Sequence, residues 1–167
     1  MENTSVDVGA ERELILTRTL NARRDQAFEV WTNPKHVENW WGPEDFTVPH
    51  CSIDLRLGGS FHICMRSPTG EDSWHKGFYR VIRPPEQIMS TIFFSDKDGN
   101  FIAPVKYGMG PDFPAEILMT VNFTDAGNGK TKLTLNCGLS EVIAKRYQAD
   151  QGWSQSLDRF EQELKRV

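Results

Sequence analysis

The chain is short of the features that usually mark a chemistry. Its three cysteines, Cys51, Cys64 and Cys137, are odd in number and lack CxxC spacing. Each sits in a strand-like run, where a thiol behaves as a small buried hydrophobe, so neither a disulfide nor a zinc site is expected. No histidine pair has HExxH spacing, and no serine or cysteine stands in a nucleophile motif, which disfavours metal and triad enzymes and leaves no cofactor implied. No apolar run approaches the ~20 residues that span a bilayer, so membrane insertion is not expected. The opening MENTSVDVGA has neither a basic start nor an apolar stretch. Residues 1–11 therefore read as a disordered tail rather than a secretory signal, with the cytoplasm as the compartment. Positive charge is also scarce, with 19 Lys and Arg against 23 Asp and Glu for a net charge of −4. The basic residues are scattered, and nucleic acid is excluded as a partner on that ground.

What is present suits one domain over residues 12–167, a length that buries about 70% of its unfolded surface. Residues 12–20 alternate Leu14, Leu16 and Arg18 against β-branched neighbours, which predicts a first strand. Ala27, Phe28 and Trp31 recur at helical spacing. Asn33-Pro34 then ends that helix and starts another as N-cap and N1, carrying Val37, Trp40 and Trp41 on its apolar side. Six strand-length runs follow, at 46–54, 60–66, 73–82, 87–94, 116–123 and 131–137, separated by turn chemistry such as Gly58-Gly59 and the Asn128-Gly129 hairpin signal. Trp153, Leu157, Phe160 and Leu164 then fall on one stripe of a final amphipathic helix, with Asp150 as its expected N-cap and a looser turn over 141–147 before it. Strands segregated from a long terminal helix predict an α+β architecture. Residues 95–114, rich in Gly and Pro, are expected to be a mobile loop, serving as a lid or a contact surface.

Several of these motifs together carry a resemblance. WTNPKHVENWWGP (31–43), DLRLGGSF (54–61), Gly77-Phe78-Tyr79, Pro84-Pro85, Thr120-Val121-Asn122-Phe123 with Thr131-Lys132-Leu133-Thr134, and Gly152-Trp153 with Leu157-Asp158 occur in order. In these the chain resembles the bacterial homologues of the heat-shock-protein ATPase activator C-terminal domain, within the START-related (SRPBCC), pollen-allergen-like superfamily. The resemblance implies a helix-grip fold: a curved antiparallel sheet of about seven strands around a long C-terminal helix, with two short helices after the first strand and a ligand-sized cavity in between. It also implies hydrophobic ligands or protein contacts, although one fold hosts many functions.

Phe61, Ile63 and Met65 share one strand face, as do His75, Gly77 and Tyr79, and again Met119, Val121 and Phe123. With Trp41, Phe93, Trp153, Leu157 and Phe160 they form the expected cavity lining. Gly77, an inward strand glycine, is expected to leave room there. Simple core packing is the competing explanation for each of them. Of His36, His50, His62 and His75, only His75 shares a face with this set. Asp54 and Arg56 read as a salt-bridged approach to a glycine turn, and residues 96–100 as a turn, not a calcium loop, because the later ligand positions are missing. The leading functional expectation is non-covalent binding of a hydrophobic or aromatic small molecule. The alternatives are a chaperone-activator type of protein-interaction module, with a chaperone, another protein or a second copy of the chain as partner, and a cyclase-like enzyme using His75 with Tyr79.

Overall fold

The period-two runs become strands and the 3.6-period runs become helices. The computed structural model describes residues 12–167, and the tail expected at 1–11 lies outside the described residues. Strand β1 (Glu13–Leu20) leads into α1 (Arg24–Thr32) and α2 (Pro34–Trp40). Then come β2 (Thr47–Ile53), β3 (Ser60–Arg66), β4 (Asp72–Arg83), β5 (Gln87–Ser95), a 3-10 turn (Pro104–Tyr107), β6 (Ile117–Gly127) and β7 (Lys130–Ser140). Helices α3 (Glu141–Arg146) and α4 (Ala149–Leu164) close the chain. The seven strands form one antiparallel sheet in the order β1-β7-β6-β5-β4-β3-β2. This is a helix-grip fold, with α4 lying in the hollow of the sheet.

Local chemistry explains the boundaries. Asn33 caps α2 by accepting from the Lys35 amide at 3.0 Å, and Pro34 occupies the first turn, where its missing N–H costs nothing. Asn128 and Gly129 both have positive φ (56° and 75°), as a type I′ turn between β6 and β7 requires. Two expectations need correcting near the C-terminus. Residues 141–146 are a helix, capped by Ser140 accepting from the Ile143 amide at 3.1 Å, not a loose turn. The cap of α4 is Gln148, held left-handed at φ 61°, while Asp150 is the second residue of the helix. The chain must change direction between two abutting helices, and a left-handed residue does that where a capping side chain alone would not.

The core lies between the sheet and the helices. Val121, Phe123, Leu133 and Leu135 face Trp31, Trp40, Leu157 and Phe160, all buried. The Trp31 ring meets Phe160 edge-on at 5.2 Å and Phe123 at 6.1 Å, an aromatic arrangement that fixes α1 against both α4 and β6. Arg18, inward on β1, reaches α4 and donates to Asp158 (2.7 Å), Glu161 (2.8 Å) and Ser154 (3.0 Å).

Candidate ligand cavity

Packing fills only one end of the sheet's hollow. At the other end, beside the first turns of α4, lies a cavity of about 510 Å³, well beyond the small voids of a close-packed core. Its floor is Met65 and His75 from β3 and β4, Ile92 and Phe94 from β5, and Ile117, Met119, Cys137 and Leu139 from β6 and β7. Trp153, Gly152 and Ser156 of α4 form its roof, Trp41 to Pro43 one wall, and Tyr107, Met109 and Phe113 of the long loop another. Exposed Glu71 and Asp72 lie at its rim, so it opens to solvent.

Of the residues expected to line it, Trp41, Met65, His75, Met119 and Trp153 do so. Phe61, Ile63, Tyr79, Val121 and Phe123 on the inner face of the sheet, and Leu157 and Phe160 on α4, lie in the solid part of the core. Phe93 borders the cavity, yet its ring packs on the opposite face of the sheet against Phe78 (6.3 Å) and Phe101 (5.9 Å). Gly77 does not leave open room. The Phe61 ring occupies the space above it, and an added Cβ would also stand 2.6 Å from the Thr91 carbonyl oxygen. Strand periodicity assigns a face but not a position along it, which accounts for the solid-core residues and Gly77, whereas Phe93 alternates onto the other face, beside Lys76. The aromatic residues of 95–114 were a visible signal for the loop wall, whereas Tyr147, which also lines the cavity and follows the unforeseen α3, had none.

The site is built by the turn after α2. Arg159 donates through Nη1 to the carbonyls of Gly42 and Pro43 (both 2.9 Å) and Trp41 (3.3 Å), and through Nη2 to that of Asn39 (3.2 Å). One planar guanidinium thus ties together four carbonyls where the chain leaves α2 and holds the backbone at Trp41. The Trp41 indole stacks on His75 at 5.4 Å and meets Trp153 edge-on at 5.3 Å.

Burial, with a smaller contribution from the charge of His62, lowers the His75 pKa from 6.5 to about 4, so the imidazole is neutral at physiological pH. Its Nε2 has no hydrogen-bond partner among the described residues. Burial likewise raises the Cys137 thiol to about 12, leaving an unreactive thiol in the floor. Tyr79 is pushed up by burial as well, in the solid core and away from the cavity. The other histidines lie elsewhere: His36 pairs with Glu163 (2.8 Å), while His50 and His62 sit with Trp74 on the outer face, the His62 and Trp74 rings 4.7 Å apart. The loop wall is tied down at two tyrosines. Tyr107 donates to the Ser95 carbonyl (2.7 Å) and accepts from the Trp74 amide (3.2 Å). Tyr147 accepts from the Gly110 amide (3.0 Å) and bonds Asp112, which also pairs with Arg146. Among the described residues no cluster of three or more acidic, histidine or cysteine ligands is placed to hold a metal ion. Nor, among them, is any helix long and apolar enough to cross a membrane.

A family model for the activator of Hsp90 ATPase homolog 1-like proteins matches residues 21–165. The chain belongs to that family. Solved structures with the same fold include a Chromobacterium violaceum protein at 21% identity and TM-score 0.73, covering 92% of this chain and 96% of that one. The AHSA1 protein of Silicibacter pomeroyi is 22% identical, with TM-score 0.72 and coverage of 91% and 96%. An Arthrobacter aurescens protein solved by NMR is 16% identical, with TM-score 0.74 and coverage of 94% and 88%. Identities this low carry the fold alone. No curated protein matches the sequence significantly. Family and fold together make this an SRPBCC-like scaffold.

Proposed function

We propose that the protein binds a hydrophobic or aromatic small molecule, non-covalently, in the hollow between the sheet and α4. The observation that carries this reading is the cavity itself. At about 510 Å³ it falls in the ~300–1,000 Å³ range of small-molecule sites, and its walls are mostly aromatic and aliphatic with few polar groups. The test has two arms. An aminonaphthalene sulfonate probe should fluoresce with the folded protein, under conditions where unfolding is shown to be cooperative. Native mass spectrometry of protein purified from its own host should show a co-purifying small molecule. A folded protein that ignores apolar probes and carries nothing would sink the proposal.

One observation favours a second reading, a surface for another protein or a second copy of the chain. The outer face of the sheet carries Phe78, Phe93, half-exposed Phe101 (53%) and Leu118 (49%), an apolar patch of the kind that marks contact sites. Sedimentation of the wild type and of Leu118→Glu would detect self-association through it. The enzymatic reading draws no support. It needs an acid-base pair titrating near neutrality, whereas the neutral His75 and the high-pKa Tyr79 occupy different parts of the interior.

A further inference from the structure

The charges around the cavity specify its occupant more closely than its volume does. Among the described residues no lysine or arginine lines it. Burial keeps His75, in the floor, uncharged at physiological pH, and holds the Cys137 thiol protonated. Two carboxylates border the mouth, Glu71 and Asp72, and strand alternation sends them to opposite faces. Ile63 pairs with His75 and Met65 with Ser73 on the inner face of β3 and β4. The next pair, Arg66 with Asp72, therefore faces outward, and Arg66 donates to Asp72 at 2.7 Å. One step further the phase returns inward. The Ser67 amide donates to the Glu71 carbonyl at 2.9 Å, which extends the ladder by one pair, and both residues line the cavity. Among the described residues Glu71 has no ion-pair partner. Arg146, beside the loop wall, is taken up by Asp112. Behind Glu71 the walls present the rings of Trp41, Trp153, Phe94 and Phe113. A cation is favoured both by an opposite charge and by the negative face of an aromatic ring. An anion finds neither, and its desolvation in such a cavity is uncompensated.

We infer that the occupant is a hydrophobic amine of the arylalkyl class, which enters rings first and leaves its protonated nitrogen at the mouth beside Glu71. The inference rests on the cavity-binding reading above. It makes Glu71, at the tip of the β3-β4 hairpin, the residue that selects the charge of the ligand.

The experiment compares three ligands that share one ring system and differ in charge, 2-naphthylmethylamine, 2-naphthylmethanol and 2-naphthoate, by calorimetric or NMR titration at pH 7. The wild type should bind the amine about three- to fivefold tighter than the alcohol, the worth of one solvent-exposed ion pair, and 2-naphthoate weakest. The advantage of the amine should shrink in about 0.5 M salt, which screens such a pair. Glu71→Gln should erase it, and Glu71→Lys should reverse the order and make 2-naphthoate the tightest of the three. Glu71 is exposed in a turn, so both variants should fold, and their melts check this. Equal binding of amine and alcohol by the wild type overturns the inference and leaves the cavity reading intact, as does an advantage that survives Glu71→Gln. Tightest binding of 2-naphthoate by the wild type overturns it as well. If none of the three binds, the cavity-binding reading itself fails.

Discussion

Trp40 and Trp153 do different jobs although each falls on the apolar stripe of its helix in the sequence. Trp40 is fully buried, and its indole N–H donates to the Val30 carbonyl at 3.0 Å. Trp153 is only partly buried because one side of it borders the cavity. Trp40→Ala should therefore cost about 3–5 kcal/mol in denaturant melts. Trp153→Ala should cost about half of that and show its main effect as weakened probe binding. Gly77 follows similar logic. Phe61 and the Thr91 carbonyl fill the space a side chain would need, so Gly77→Ala should destabilise by about 1–3 kcal/mol through overpacking, with no gain or loss of cavity. A melt indistinguishable from wild type would show that both the Phe61 ring and the β5 backbone at Thr91 give way. For His75 the folded pKa of about 4 lies below its ordinary 6.5. The unfolded chain then binds the extra proton first, so this contribution is complete above pH 6.5 and lost as pH falls toward 4. Between pH 7 and pH 5 about 2 kcal/mol should disappear, and His75→Phe should remove that part of the slope. An unchanged slope would mean that His75 is hydrated in the native state.

At the scale of elements, most of the architecture was legible because its signals were local. The Asn33-Pro34 boundary, the Asn128-Gly129 hairpin and the α4 stripe each depend on residues a few positions apart, and each formed where the sequence placed it. What escaped depends on partners far along the chain. Helix α3 is too short to show a period, and it holds its place through Arg146 and Tyr147 bonding Asp112 of the long loop. The same distant bonds change the expectation for that loop. Residues 95–107 fold back on the ends of β4 and β5, with Ser95 bridging Phe101 and Tyr107 bonding both Ser95 and Trp74. Only the stretch after the left-handed Gly108 depends on Tyr147. In amide exchange the Trp74 N–H should be protected. Tyr147→Phe should speed exchange at residue 110 several-fold with little change in global stability. Uniform fast exchange across 95–114 in the wild type would contradict this division of the loop.

At the scale of the whole molecule, a dense aromatic core at one end of the hollow supports an open one at the other. Leu157 and Phe160 sit in the first, Gly152 and Trp153 in the second, all on one helix. The strand order has a further consequence for how the protein is made. Strand β1 pairs with β7, Leu20 opposite Thr131 and Glu13 opposite Ser140. During synthesis the first strand must therefore wait for a partner more than a hundred residues behind it, roughly 5 to 20 seconds at ordinary elongation rates. Until then Leu14, Leu16 and Leu20 have no sheet to join, and the hollow has no helix to close it. Ribosome-bound chains ending before β7 should accordingly remain open to protease, and resistance should arrive in one step once both β7 and α4 have emerged. Gradual protection of shorter chains would indicate that β2 to β6 fold as an independent unit.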